Sequence, residues 1–205
     1  MDLRAALSYC PVAAILRGVK PDEIDAIGDA LIEAGITVIE VPLNSPQPFE
    51  SIRRLAARHG HHALVGAGTV LDAADVASLK EAGGQLVVAP NFDANVVRAA
   101  KAAGLAALPG VMTPSEGFAA LKAGADGLKL FPAEIIPPAV FKAWRAVFPA
   151  DTLLLAVGGI GVDNLKAYAE AGASGYGTGS ALYKPGRPAA ETAKLAKALV
   201  SAAKA

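Results

Sequence analysis

The 205-residue sequence predicts an α/β protein of the (β/α)8 (TIM) barrel class, and three observations carry that prediction. Helix-stop signals recur at steps of about 20 to 25 residues, the length of one helix plus one strand. A short, continuous apolar run follows each stop, as expected for strands of a parallel sheet covered on both faces. The runs number eight, which closes a barrel, whereas a flavodoxin-like open sheet normally uses five or six. The 46 alanines fit this reading, since many helices must pack closely on the strands.

A short lead-in helix precedes the first strand, Val12–Leu16. The stretch from Ala5 to Leu16 superficially resembles a secretion signal. However, Asp2 and Arg4 make a poor basic start, Pro11 interrupts the run, and no small-residue cleavage site follows before Arg17. Five helix ends are marked by Ala34-Gly35, Ala82-Gly83, Ala103-Gly104, Ala123-Gly124 and Ala171-Gly172. Glycine suits the left-handed residue just past a helix. His59-Gly60 and Pro149-Ala150 stand at the two remaining stops. The later strands are predicted at Thr37–Val41, Ala63–Ala67, Gln85–Ala89, Leu105–Leu108, Gly127–Phe131, Leu153–Val157 and Ser174–Thr178. Phe141 and Trp144 fit the packing face of the sixth barrel helix. Lysines at 194, 197 and 204 give Glu191–Lys204 the spacing of an amphipathic helix.

No linker or low-complexity stretch interrupts residues 1–205, so one domain is expected. No apolar run approaches the roughly 18 residues of a membrane span. Nineteen acidic and nineteen basic residues leave no net charge, which argues against a nucleic-acid partner. One cysteine excludes an intramolecular disulfide and a cysteine zinc cluster, and fits a reducing, cytoplasmic location. Cys10 itself is expected to be inert.

In a barrel the active site lies at the C-terminal ends of the strands. Those ends read Arg17-Gly18, Glu40 through Ser45, Gly66-Ala67-Gly68-Thr69, Pro90-Asn91, Pro109-Gly110, Lys129 through Pro132, Gly158-Gly159 and Gly179-Ser180. Lys129 stands between leucines on a strand buried on both faces. Burial without a partner lowers an amine's pKa, and a neutral amine attacks carbonyls to form a Schiff base. Period-two alternation puts Glu40 on the same face as Val38, opposite Ile39 and Val41, where a carboxylate can shuttle protons. A structural salt bridge of Glu40 to Lys129 or Arg17 would use the same residues.

Gly158-Gly159 and Gly179-Ser180 follow adjacent strands, where barrels commonly hold phosphate on backbone amides. Tight turns alone would also use these glycines. Arg17 can grip a carboxylate or phosphate with its fork. Tyr183 and Lys184, just past the eighth strand, are candidates for the rim or an interface. His59, His61 and His62 fall between a helix and the third strand, at the far end of the barrel. No histidine is therefore expected in the site, and no catalytic metal, since carboxylates alone could hold only weak Mg2+.

Five segments together carry a specific resemblance: Ala14–Gly18, Glu40–Ser45, Gly66–Val70, Leu128–Pro132 and Val157–Gly159. Over essentially the whole chain the sequence resembles the 2-keto-3-deoxy-6-phosphogluconate and 6-phosphogalactonate aldolases. The resemblance implies a class I aldolase barrel, commonly a homotrimer, without metal or cofactor, acting on a phosphorylated keto-deoxy sugar acid and releasing pyruvate. It makes Lys129 the Schiff-base lysine and Glu40 the acid/base. Arg17 and Thr69 become carboxylate ligands, and Gly158, Gly159, Gly179 and Ser180 phosphate ligands. Pro90, Phe131, Val157 and Asn44 complete the expected substrate contacts.

Pro42, Asn44 and Val157 depart from the gluconate pattern, which has Thr, Arg and Thr there. They favour the galactonate epimer, because a Thr hydroxyl can bond one C4 configuration and Val cannot. Phe131-Pro132-Ala133-Glu134 is closer to the gluconate version, so gluconate or dual specificity is the alternative. A phosphosugar isomerase or epimerase, or a non-catalytic phosphosugar-binding barrel, remain as readings of the residues alone.

Overall fold

A computed structural model of the chain describes residues 1–204. The elements in order are α1 (Leu3–Tyr9), β1 (Val12–Ile15), α2 (Ile24–Glu33), β2 (Val38–Pro42), α3 (Pro48–His59), β3 (Leu64–Gly68), α4 (Asp75–Glu81), β4 (Leu86–Val88), α5 (Ala94–Ala102), β5 (Ala106–Leu108), β6 (Gly110–Val111), α6 (Pro114–Ala123), β7 (Leu128–Leu130), a 3-10 turn (Ala133–Ile135), α7 (Pro138–Arg145), β8 (Leu154–Val157), α8 (Leu165–Glu170), β9 (Gly175–Thr178) and α9 (Ala189–Ala203). All strand pairs are parallel, in the order β5-β4-β3-β2-β1-β9-β8-β7-β6. The two edge strands, β5 and β6, are consecutive in the chain, so the sheet closes on itself through Pro109.

That closure corrects one sequence expectation. The fifth run does not end at Leu108; it continues as β6, and the eight predicted strands become nine segments. Proline has no N–H for the ladder and breaks the strand there. The carbonyl of Pro109 still accepts from the Lys129 amide at 2.9 Å, tying the break to β7. Gly110 lies so close to the Pro90 backbone that a Cβ would meet the Ala89 carbonyl oxygen at 2.9 Å. The other predicted strands agree with the observed ones to within a residue at each end.

The five Ala-Gly stops behave as expected. Gly35, Gly83, Gly104, Gly124 and Gly172 all have φ between +75° and +102°. Gly60 ends α3 differently, in the right-handed region at φ −61°.

Two apolar layers follow from strand alternation. Ile39, Val41, Val65, Leu128, Leu130 and Leu154 point outward into the layer shared with the helices. Ala13, Val38, Leu64, Leu86, Leu108 and Leu155 fill the barrel interior. Leu3, Ala6 and Leu7 of α1 join that inner cluster, and the Thr37 hydroxyl donates to the Ala6 carbonyl at 3.0 Å. The lead-in helix therefore plugs the N-terminal mouth. Phe141 and Trp144 are buried under α7, and α9 packs Thr192, Ala196, Leu199 and Val200 inward with Lys194 and Lys197 exposed. No helix among the described residues is long and apolar enough to cross a membrane.

Candidate active site

The open end of the barrel carries a cleft of about 670 Å³ over the C-terminal ends of β1, β7, β8 and β9. Lys129, Phe131, Val157, Gly158, Gly159, Gly179, Ser180 and Arg17, all candidates from the sequence, line it together. Beneath it the interior is nearly full: Glu40, Lys129, Val38, Val88 and Val157 enclose a void of about 10 Å³, room for roughly one water molecule.

Lys129 is held there by its strand. Leu128 and Leu130 are fully buried outward, so alternation drives Lys129 inward, where it is 5% exposed. Burial pushes its amine well below the ordinary lysine range, with Arg17 adding to the fall and Glu40 opposing it. Its Nζ lies 4.8 Å from the centroid of the Phe131 ring, two residues on along the same face.

Glu40 is 3% exposed and points inward with Val38. Burial raises its carboxyl from 4.5 to about 7, against the pull of Lys129 and Arg17. Oε2 has no hydrogen-bond partner. The two groups make no direct ion pair, which sets aside the salt-bridge reading. They sense each other only through space.

Gly68, named from sequence only as part of the third strand end, makes room for Glu40. A Cβ there would stand 2.5 Å from Oε1 and nearer still to Oε2 and Cδ. A spacer of small residues across from a strand carboxylate was the available signal.

Arg17 and Asn44 meet directly: the guanidinium donates to the Asn44 side-chain oxygen at 2.6 Å. Ser45, given no role from sequence, accepts from the Gly18 amide at 2.9 Å. These bonds stitch the β1 and β2 ends together and aim Arg17 over the cleft. Asn44 thus acts on Arg17 rather than lining the cleft. Thr69 follows β3 and Pro90 follows β4, and neither lines this cleft. Thr69 has φ +54°, a left-handed conformation that a β-branched residue adopts only under constraint.

At the far side of the cleft, Gly158 and Gly159 have φ +107° and +64°. The Gly179 carbonyl accepts from the amides of Leu182 and Tyr183, both at 2.9 Å, making one helical turn. The leading amides of such a turn are free for an anion. Arg187 fastens this turn by donating to the Ser180 carbonyl at 3.4 Å. Tyr183 is buried, with its hydroxyl donating to Glu23 at 3.4 Å, while Lys184 is exposed on the cleft wall. Glu134 also lines the cleft, a position read from sequence only as an epimer clue.

The three histidines lie away from this end. His59 is buried beside Gly28, and His61 and His62 border a separate cavity with Met1 and Tyr9. Among the described residues no group of three or more His, Cys, Asp or Glu side chains could hold a metal ion.

The arrangement combines a depressed lysine, an elevated carboxyl and a two-ended anion cleft. It suits covalent carbonyl chemistry on an elongated substrate with an acid group at each end.

The chain is also similar to known proteins over nearly its whole length. The family model "KDPG and KHG aldolase" matches residues 3–197. The Rhizobium meliloti (strain 1021) protein named "Probable 2-dehydro-3-deoxy-6-phosphogalactonate aldolase" is 47% identical over 192 residues, covering 94% of this chain and 91% of the relative. The Escherichia coli (strain K12) "2-dehydro-3-deoxy-6-phosphogalactonate aldolase" is 45% identical over 192 residues, covering 94% of both. A solved structure described as "Native KDPGal structure" superposes with a TM-score of 0.93 at 44% identity, covering 95% of this chain and 94% of that one.

Proposed function

The chain belongs to the KDPG and KHG aldolase family, and from that premise we propose that it cleaves 2-dehydro-3-deoxy-6-phosphogalactonate to pyruvate and D-glyceraldehyde 3-phosphate through a Schiff base on Lys129. The observation that carries the reading is the placement of Lys129. It is a buried amine at the floor of the cleft with Glu40 alongside, and burial lowers its pKa, whereas Lys184 on the cleft wall is exposed.

Arg17 in the cleft, with Thr69 reaching in from the end of β3, holds the keto-acid carboxylate, and Asn44 fixes the guanidinium. The amides around Gly158-Gly159 and Gly179-Ser180 hold the phosphate. The Lys129 amine adds to the C2 carbonyl, and loss of water gives an iminium that draws electrons from the C3–C4 bond. Glu40 takes the proton of the C4 hydroxyl, directly or through one water in the small void. The bond breaks, glyceraldehyde 3-phosphate departs, and pyruvate remains as an enamine on Lys129. Glu40 returns a proton to C3, and hydrolysis frees pyruvate. A carboxyl raised to about 7 is matched to giving and taking the same proton near neutrality.

Val157, which lines the cleft beside the glycines, supports the galactonate epimer by presenting methyls where a hydroxyl would bond the other configuration. We further propose that one cytoplasmic domain, residues 1–205, carries the whole activity and assembles as a homotrimer. Met112, Phe118 and Val147, exposed on or next to α6 and α7, are apolar surface such an assembly would cover.

Borohydride reduction in the presence of pyruvate tests the mechanism. One reduced pyruvate adduct should form on Lys129 and none on a Lys129→Met variant. An isomerase, an epimerase or a binding barrel would leave no adduct. Offering both C4 epimers and measuring pyruvate release tests the substrate, and comparable rates would overturn the galactonate preference alone.

A further inference from the structure

Two charged side chains flank the glycine end of the cleft, and the chemistry above uses neither. Glu134 stands on the 3-10 turn after β7, and Lys184 on the loop after β9. We infer that they set affinity at the phosphate end in opposition: Lys184 draws the phosphate in, and Glu134 repels it and speeds its release. The inference rests on the reading of that end as the phosphate site.

Glu134 lies across the faces of both glycines. A Cβ on Gly158 would stand 3.2 Å from its Cδ and closer to Oε2; one on Gly159 would stand 2.7 Å from its Cγ and 3.3 Å from Oε1. The pair must be glycine partly because this carboxylate occupies their side-chain space. It therefore sits where an anion bound to the amides of that segment would feel it at short range.

The turn that carries Glu134 is anchored. Ala133 is buried, and the Tyr168 hydroxyl lies 2.8 Å from the Ala133 carbonyl and 3.3 Å from that of Ile136, each within donating distance. Relief can come only from side-chain rotation, not from movement of the turn. Among the described residues, Glu134 enters no salt bridge that would neutralise it, and neither does Lys184. Both charges are therefore free to act on a ligand in the cleft between them.

A lone cation would retain the phosphate of both substrate and product. An aldolase must release glyceraldehyde 3-phosphate at each turnover, and a fixed opposing charge weakens that hold without disturbing the pyruvate end. A unit charge a few ångströms away, partly screened by solvent, is worth roughly threefold to tenfold in affinity.

Calorimetric titration of the full-length protein with inorganic phosphate, at constant ionic strength, tests this. Glu134→Gln should tighten phosphate about threefold to tenfold, and Lys184→Gln should loosen it by a similar factor. KM for the phosphorylated substrate should move with the same signs. Unchanged or weaker phosphate binding in Glu134→Gln would overturn the opposition, as would an unchanged Lys184→Gln. If KM rises in Glu134→Gln while phosphate affinity stays put, the carboxylate accepts a substrate hydroxyl instead, and the inference is wrong. Absence of phosphate binding to the parent would overturn it together with the phosphate-site reading. Failure of the aldolase reading shows separately, as loss of borohydride trapping on Lys129.

Discussion

Gly68→Ala is the sharpest test of how Glu40 is held. The added Cβ would fall 2.5 Å from Glu40 Oε1, with Cδ and Oε2 nearer, whereas ordinary contact begins at 3.4 Å. The carboxylate must therefore withdraw by about 1 Å or more. What is displaced is the end of a side chain and not backbone, so the barrel should still fold. A misplacement of that size costs about a hundredfold in rate, and loss of the acid/base altogether about 10²- to 10⁴-fold. The expected result is kcat down by at least about a hundredfold. Thermal unfolding should stay close to the parent, and a borohydride-trapped pyruvate adduct should still form on Lys129. Pyruvate release is read continuously through lactate dehydrogenase and NADH, and the adduct by intact-mass analysis. If Gly68→Ala keeps kcat within threefold of the parent, then Glu40 either is not the proton carrier or has freedom that the packing denies.

The log of kcat/KM should climb with unit slope below neutrality and level off above about pH 7, where Glu40 ionises; a limb centred near 4.5 would mean the carboxyl is solvated. Glu40 is raised in the folded state, so it favours folding while protonated and disfavours it as pH rises from 4.5 through 7. The unfolding free energy of the parent from urea titrations should therefore fall by about 2 to 3 kcal/mol relative to Glu40→Gln between pH 5 and pH 8, and an equal difference at both pH values would count against the burial argument. Val157→Thr should shift the ratio of kcat/KM toward the gluconate epimer by about threefold to tenfold, measured as pyruvate release from each epimer. Thr69→Gly relieves a β-branched residue at φ +54° and should raise stability by about 1 kcal/mol, while the pyruvate concentration needed for half-maximal trapping rises; destabilisation would show that Thr69 is not strained.

Glycine punctuation and continuous apolar runs made most of the barrel legible, because both are local. A left-handed glycine after a helix and a strand buried on two faces each write themselves into a few adjacent residues. A ladder break at Pro109 was legible, but the strand's continuation as β6 was not. It depends on the close passage of Gly110 over the Pro90 backbone, a contact between two strands that the sequence does not order in space. The site divides in the same way. Lys129 and Glu40 announced themselves as charges on apolar strands, and Arg17 as the lone cation of the first strand end. Gly68 and Ser45 escaped because a small residue signals only what stands over it or beside it. The bond from Arg17 to Asn44 was not legible, since it exists only once β1 and β2 lie in register.

Why the barrel spends a glycine on Glu40 follows from the two pKa directions. Had the carboxylate reached Lys129, a tight ion pair would have lowered one pKa and raised the other. Lysine would then stay protonated and unable to attack, and glutamate would stay ionised and unable to return a proton. In this barrel the carboxyl folds over Gly68 instead, and the void it shares with Lys129 is about 10 Å³. Desolvation then outweighs attraction for both groups: it lifts Glu40 to about 7 and lowers Lys129. Glu40 can therefore exchange protons near neutrality, and the Lys129 amine gives up its proton more readily than an ordinary lysine. An unpaired Oε2 in the interior is the stability cost of that arrangement. Filling the Gly68 space should thus impair catalysis even though every catalytic side chain is still present.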